Sequence, residues 1–147
     1  MTGFVTEEVL EAGRRAGFRG RTLDDATFPL ASRKTKGDLR VGPYGVELGG
    51  LETTGLAALK PRDDTRLIVL DEVGKMELFS RPFRDRVEEL LDGEVALLAT
   101  IASHGVGYIK RRRHDPRIDL VRMSRASRAG TVGDILRRLS AADLGNS

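Results

Sequence analysis

The chain has 147 residues, of which 39% are hydrophobic and 32% are charged, and it contains no cysteine. This length fits one domain with a single sizeable core, and the composition argues against wholesale disorder. The lack of cysteine excludes disulfides and thiolate metal sites. The sequence contains no run of 18 apolar residues, so no membrane span is predicted. Acids near the start argue against a signal peptide. We therefore expect a cytoplasmic protein with one domain, residues 1–147.

The net charge of +3 is unevenly distributed along the chain. Residues 1–100 carry 15 basic and 18 acidic side chains, whereas residues 101–147 carry 10 basic and 4 acidic ones. A basic C-terminal third can bind a polyphosphate ligand or a nucleic acid. A solvated basic face without a ligand is the alternative, and the sequence leaves both open.

Short β-type segments dominate the first third of the chain. Residues 3–9 and the return over 17–23 flank a turn signal at Gly13 and predict a hairpin or tight loop. Two further short strands and a weak helix follow, over 28–32, 41–48 and 51–60.

After residue 60, strands and helices alternate. The apolar runs 67–70 and 95–101 predict two buried strands. Between them, the N-cap residue Ser80 and an apolar stripe at helical spacing predict a helix that ends at Gly93. A weaker strand is predicted over 118–123.

The chain is predicted to end in a helix. Thr131 is its expected N-cap, and its inner face is formed by Val132, Ile135, Leu136 and Leu139. The alternation of strands and helices predicts an α/β fold, in which right-handed crossovers build a parallel sheet. The N-terminal third reads as added hairpins rather than as another βαβ unit.

Two carboxylates, Asp71 and Glu72, follow the apolar run 67–70 directly. Because ligands of open α/β sheets bind beyond the carboxyl ends of the strands, both acids are expected to face a site. The pattern is typical of a Walker B strand, in which the aspartate holds Mg²⁺ and a neighbouring acid activates the attacking water. The alternative is a pair of surface acids in a polar loop.

Other polar residues could serve the same site. Thr100 ends the neighbouring predicted strand, and Lys75 lies just past the two acids, where it could contact phosphate oxygens. One of the arginines at three-residue spacing, Arg122, Arg125 and Arg128, could reach a nucleotide. Each residue also has an ordinary reading, as a β-favoured threonine or a solvated cation.

Four stretches together resemble the THEP-type nucleoside-triphosphatases, a family that includes the cancer-related nucleoside-triphosphatase. The first three lie at residues 3–9, 13–18 and 41–48. The fourth is the most specific and matches the family's Walker B block almost residue for residue: Leu70-Asp71-Glu72-Val73-Gly74-Lys75-Met76-Glu77-Leu78-Phe79-Ser80. The similarity keeps its order and spans residues 3 to about 139.

The resemblance implies a three-layer P-loop fold with a mainly parallel sheet, which hydrolyses ATP, GTP and other nucleoside triphosphates with Mg²⁺. It makes Asp71 the Mg²⁺-linked acid and Glu72 the residue that activates water. The family's C-terminal Asn-Arg pair corresponds to Ser127-Arg128, so the nucleotide-facing arginine is kept and the asparagine is not.

One family motif does not occur in these 147 residues: the Walker A sequence Gly-x-x-x-x-Gly-Lys-[Ser/Thr]. In the family, a strand, this loop and a helix precede the region of similarity, and the loop cradles the phosphates. An upstream start, a true loss of the loop, or a loop supplied by another chain would each explain its absence. We expect these residues alone to be inactive, with a non-catalytic nucleotide- or RNA-binding module as the alternative.

A missing central strand would also leave sheet edges open. The two neighbouring strands, 67–70 and 95–101, are apolar enough for such edges to promote self-association.

Overall fold

A computed structural model describes residues 1–144 of the chain. They belong to two compact units, one over Met1–Arg117 and one that begins at Ile118. The N-terminal unit contains a seven-stranded sheet and three short helices, and the C-terminal unit contains one long helix. The expectation of one domain over residues 1–147 stays a prediction.

The sheet is mixed, with strand order β4-β5-β3-β2-β1-β6-β7. Its strands are β1 (Thr2–Glu11), β2 (Arg14–Thr22), β3 (Thr27–Ser32), β4 (Arg40–Val41), β5 (Tyr44–Val46), β6 (Leu67–Val73) and β7 (Ala96–Ile101). Strands β1, β6 and β7 pair in parallel, and all other pairs are antiparallel. The predicted α/β class is confirmed, with parallel pairing at one end of the sheet.

The N-terminal hairpin additions form an antiparallel meander of β1, β2 and β3. The hairpin predicted around Gly13 is confirmed, and Gly13 itself adopts a φ of +75°. The single strand predicted over 41–48 is wrong. Gly42, with a φ of +56°, turns the chain there, so the segment becomes the small hairpin of β4 and β5.

Strand β6 lies inside the sheet, between β1 and β7. Gly3 of β1 pairs with Val69, and a Cβ at Gly3 would lie only 1.8 Å from the Val69 carbonyl oxygen. The glycine therefore permits β1 to approach β6 closely. The expectation of an open edge along 67–70 is wrong because β1 covers it, whereas β7 is an edge strand of the described sheet.

The core packs between the sheet and two helices. Phe4 and Phe28 meet edge to face with ring centroids 5.2 Å apart, and both are buried. Phe83 and Val87 are buried in the same cluster from helix α2. Burial of each such side chain contributes about 1.5–3 kcal/mol to the free energy of unfolding.

The helices of the N-terminal unit are short. Helix α1 consists of a π-helical turn, Leu51–Gly55, followed by Leu56–Ala58. Helix α2 (Arg81–Asp92) begins as predicted, because the Ser80 hydroxyl accepts a hydrogen bond of 3.1 Å from the Phe83 N–H. Helix α3 (Tyr108–Arg113) ends in four consecutive basic residues, 110–113. It contacts α2 through Tyr108 and Arg112, which both bind Glu88.

The C-terminal unit corrects three expectations. Helix α4 (Arg128–Leu144) begins before Thr131, whose N–H already donates to the Ser127 carbonyl within the helical pattern. Val132 and Leu136 are 48% and 59% exposed, so they do not form a buried inner face. No strand forms over 118–123, because no segment of the described residues pairs with it. Within residues 1–144, no helix has the length and apolar character that crossing a membrane requires.

Candidate functional site

The candidate site lies where the parallel strands β6 and β7 end. Asp71 and Glu72 occupy the last part of β6, which continues to Val73 rather than stopping at residue 70. Thr100 is the penultimate residue of β7. Because parallel strands end at the same edge of a sheet, Asp71 and Thr100 meet although they lie on different strands, and Glu72 follows Asp71 directly.

A hydrogen bond joins Thr100 to Asp71, two of the residues predicted for the site. The Thr100 hydroxyl donates to Oδ1 of Asp71 over 2.6 Å. Asp71 is half-buried, and the bond fixes one of its carboxylate oxygens while the other keeps its lone pairs for a ligand. The structure thus places the Thr100 hydroxyl against Asp71, and the role assigned to Thr100 stays a prediction.

Glu72 is exposed at the end of the strand, next to Asp71. Partial burial of its carboxyl and the negative charge of Asp71 raise the pKa of Glu72 above its usual value. A carboxylate with a raised pKa accepts a proton more readily, which is the property required of a general base.

The site contains a third acid, Glu77, which the sequence analysis did not assign a role. It lies on a single 3₁₀ turn, Glu77–Phe79, and is only 2% exposed. Its carboxylate accepts a hydrogen bond of 3.3 Å from the Thr6 hydroxyl. Burial, together with the charge of Glu72, raises the pKa of Glu77 to about 7.

One sequence signal could have identified this acid. Glu77 lies between the apolar residues Met76 and Leu78, in a segment that follows the strand end immediately. An acid among apolar neighbours beside a candidate site is a reason to expect burial and a shifted pKa.

The structure places the two predicted cations differently. Lys75 is exposed on the turn that follows Gly74. Arg128 is exposed at the first position of α4 in the C-terminal unit. The observed contacts therefore bring Thr100 to Asp71 and place Glu72 and Glu77 against Gly74, whereas Lys75 and Arg128 are described apart from this cluster.

The donor set suits Mg²⁺. This ion binds proteins through one or two carboxylates and retains waters or phosphate oxygens in its other positions. Asp71, oriented by Thr100, is a carboxylate that could serve as such a ligand. Among residues 1–144 no group of three or more His, Cys, Asp or Glu side chains could hold a metal, so a closed all-protein cage is not what the described site offers.

Two concave surfaces of the described chain are lined by other residues. One of about 320 Å³ is lined by residues at the C-terminal end of α2, and another of about 300 Å³ lies along β2 and β3. Neither is lined by Asp71, Glu72 or Thr100. At the sheet edge, Asp71 is half-buried and Glu72 is exposed.

Comparison with known sequences identifies similar proteins over most of the chain. A family model described as NTPase matches residues 1–136. The nucleoside-triphosphatase THEP1 of Thermotoga sp. (strain RQ2) is 36% identical over 135 residues, which cover 91% of this chain and 78% of the relative.

Comparison with solved structures agrees. The crystal structure of THEP1 from the hyperthermophile Aquifex aeolicus has a TM-score of 0.84 and 34% identity, covering 94% of this chain and 83% of that one. The solution structure of a human cancer-related nucleoside triphosphatase has a TM-score of 0.77 and 30% identity, covering 96% and 82%.

Proposed function

The chain belongs to the NTPase family of nucleoside-triphosphatases, and from that premise we propose that its site hydrolyses nucleoside triphosphates such as ATP and GTP with Mg²⁺. In this proposal Asp71 is the Mg²⁺ ligand and Glu72 is the catalytic residue. Lys75, Thr100 and Arg128 are assigned to the binding of the nucleotide and its cofactor.

The observation that carries the proposal is the pairing of Asp71 with Thr100 beside a free carboxylate, Glu72, at the carboxyl ends of two parallel strands. In α/β sheets this edge is where ligands bind. Two acids in different environments can take different roles. Asp71 is held by a hydroxyl, whereas Glu72 has a raised pKa and no ion pair among the described residues.

The chemistry assigned to the chain's own residues is proton transfer and orientation. Glu72 accepts a proton from a water molecule as the water oxygen bonds to the terminal phosphorus, and the bond to the departing diphosphate breaks. Thr100 keeps Asp71 in one orientation throughout. When bound, Mg²⁺ would neutralise charge that develops on the phosphate oxygens.

The proposal includes a prediction about rate. The 147 residues contain no Walker A sequence, whose backbone N–H groups and lysine hold the phosphates in P-loop enzymes. We expect these residues alone to hydrolyse ATP or GTP no faster than the background reaction, because no Walker A loop in them positions the triphosphate against Glu72.

The test supplies what these residues lack. The strand, Walker A loop and first helix implied by the family resemblance are taken from the Aquifex aeolicus relative and joined before Met1. Phosphate release from ATP and GTP is then measured with and without Mg²⁺. We expect Mg²⁺-dependent turnover by this chimera, and a loss of at least about 100-fold on Glu72→Gln, in line with a general-base role.

The matched control is Glu89→Gln, which removes an acid from the exposed face of α2, far in sequence from the strand ends. It should leave turnover unchanged. A chimera that hydrolyses equally fast with Glu72→Gln would refute the assignment of the catalytic residue. Mg²⁺-dependent turnover by the 147 residues alone would refute the prediction about rate.

The structure lends no specific support to the RNA-binding alternative. Arg112, Arg117 and Arg138, which contribute to the positive charge of the C-terminal third, form ion pairs with acidic side chains. Their charge is therefore partly neutralised within the protein.

A further inference from the structure

Glu77 is an unusual side chain to bury. It is 2% exposed, and none of the ion pairs formed within residues 1–144 involves it. Burying a carboxyl without a cation carries a large cost, which hydrogen bonds offset only in part. An apolar side chain would stabilise the core at this position, so the carboxyl has another use.

A hydrogen bond of Glu77 indicates that use. The Thr6 hydroxyl on β1 donates to Oε1 of Glu77 over 3.3 Å. The carboxyl thus ties the turn that follows β6 to the neighbouring strand β1. This turn leaves β6 directly after Glu72 and Val73.

Gly74 brings the two acids together. A Cβ at Gly74 would lie 2.9 Å from Oε1 of Glu72 and 2.9 Å from Oε2 of Glu77. Both carboxyls therefore rest against the same glycine, in space that any other residue would occupy. The position of the Glu72 carboxyl depends on the path of this turn, and Glu77 holds the turn in place.

We propose that Glu77 is a positioning residue for Glu72: its buried carboxyl fixes the Gly74 turn against Thr6 and so holds the Glu72 carboxyl at the strand end. The value of this arrangement for hydrolysis rests on the proposed function. Without it, the exposed Glu72 side chain would sample several rotamers, and only one of them can meet an attacking water.

The test measures the motion of Glu72 directly, in the 147-residue chain and without metal or nucleotide. Glutamate side chains are labelled with ¹³C, the Glu72 signal is assigned by its loss in Glu72→Gln, and the order parameter of its Cγ methylene is measured. We expect Glu77→Ala to lower this order parameter by about a third. An unchanged order parameter in a folded Glu77→Ala chain overturns the proposal.

Two further variants make the result specific. Glu77→Gln keeps the side-chain volume and a carbonyl acceptor, so it should retain most of the order of Glu72. Val87→Ala destabilises the core from α2, outside the turn and without removing a polar group, and should leave Glu72 unaffected. A loss of Glu72 order in Val87→Ala as large as in Glu77→Ala would reduce Glu77 to a general stabilising role and overturn the proposal.

The experiment remains decisive if Glu77→Ala does not fold. Thr6→Val then replaces it, because it removes one donor to Glu77 at nearly constant volume. A lower Glu72 order parameter supports the proposal, and an unchanged one overturns it. The measurement needs no catalysis, so its outcome is independent of the test of the proposed function. Glu77 can be found to order Glu72 even if the chimera shows no hydrolysis that depends on Glu72. Conversely, hydrolysis can depend on Glu72 even if Glu77 does not order its side chain.

Discussion

The hydroxyl of Thr100 donates a hydrogen bond of 2.6 Å to Oδ1 of Asp71, across the parallel strands β6 and β7. The bond leaves Asp71 oriented before any ligand arrives. A ligand-binding carboxylate that is already held by a neighbouring donor loses less side-chain entropy on binding a metal, and it points in a defined direction.

Replacing Thr100 should therefore weaken metal binding. For Thr100→Val, which keeps the branched shape and removes the donor, we expect the affinity for Mn²⁺, used as a paramagnetic substitute for Mg²⁺, to fall about 10-fold. The affinity is measured on the 147-residue chain by electron paramagnetic resonance of free Mn²⁺. Thr100→Ser retains the hydroxyl and should bind within about twofold of the unmodified chain.

Two results would contradict this prediction. Equal Mn²⁺ affinity in Thr100→Val and the unmodified chain would show that the hydrogen bond does not support the metal ligand. Unchanged affinity in Asp71→Asn would show that the ion binds elsewhere.

The buried acid Glu77 should make stability depend on pH. Its pKa is raised from 4.5 to about 7 in the folded chain, so the folded state binds this proton more tightly than the unfolded state does. The contribution to stability is complete below about pH 4.5 and is lost as the pH rises through about 7. The loss amounts to about 3 kcal/mol in the free energy of unfolding.

Urea unfolding at pH 4.5 and pH 8 measures this effect, with Glu77→Gln as the reference because its side chain does not titrate. Between pH 4.5 and pH 8, the free energy of unfolding of the unmodified chain should fall by about 3 kcal/mol relative to that of Glu77→Gln. A difference that is the same at both pH values would mean that Glu77 titrates alike in the folded and unfolded chain.

The close contact of Gly20 with Phe28 gives a prediction for the core. A Cβ at Gly20 would lie 2.0 Å from Cζ of Phe28, whose ring is buried against Phe4. Because the ring cannot move without disturbing its neighbour, Gly20→Ala should lower the free energy of unfolding by about 1–3 kcal/mol.

Gly130→Ala is the matched control, since a Cβ there meets no atom within 4 Å and the residue lies in α4. It should be neutral or stabilising by up to about 1 kcal/mol. Thermal unfolding of both variants provides the comparison. A Gly20→Ala chain as stable as the unmodified one would show that the meander of β1, β2 and β3 relaxes around the added methyl group.

Local patterns account for what the sequence predicted well. The hairpin at Gly13 and the helix capped by Ser80 are each specified by neighbouring residues, so no distant contact was needed to find them. The grouping of Asp71, Glu72 and Thr100 was also predictable, because parallel strands end at one edge whatever the details of packing. Their roles in catalysis and binding stay predictions.

Long-range pairing and burial account for what the sequence could not supply. The apolar run 67–70 is compatible both with a strand inside the sheet and with a strand at an open edge. Only the pairing with β1 shows that it lies inside. The weak strand over 118–123 lacked a partner, since a strand forms only against another strand.

The sequence alone determined that two acids end an apolar strand in a chain of α/β type, because strand formation and chain polarity are local properties. Only the tertiary structure decided that Glu77 is buried between Thr6 and Gly74, beside Glu72. Burial and a shifted pKa depend on atoms that come from distant parts of the chain, and no local pattern states which atoms those will be.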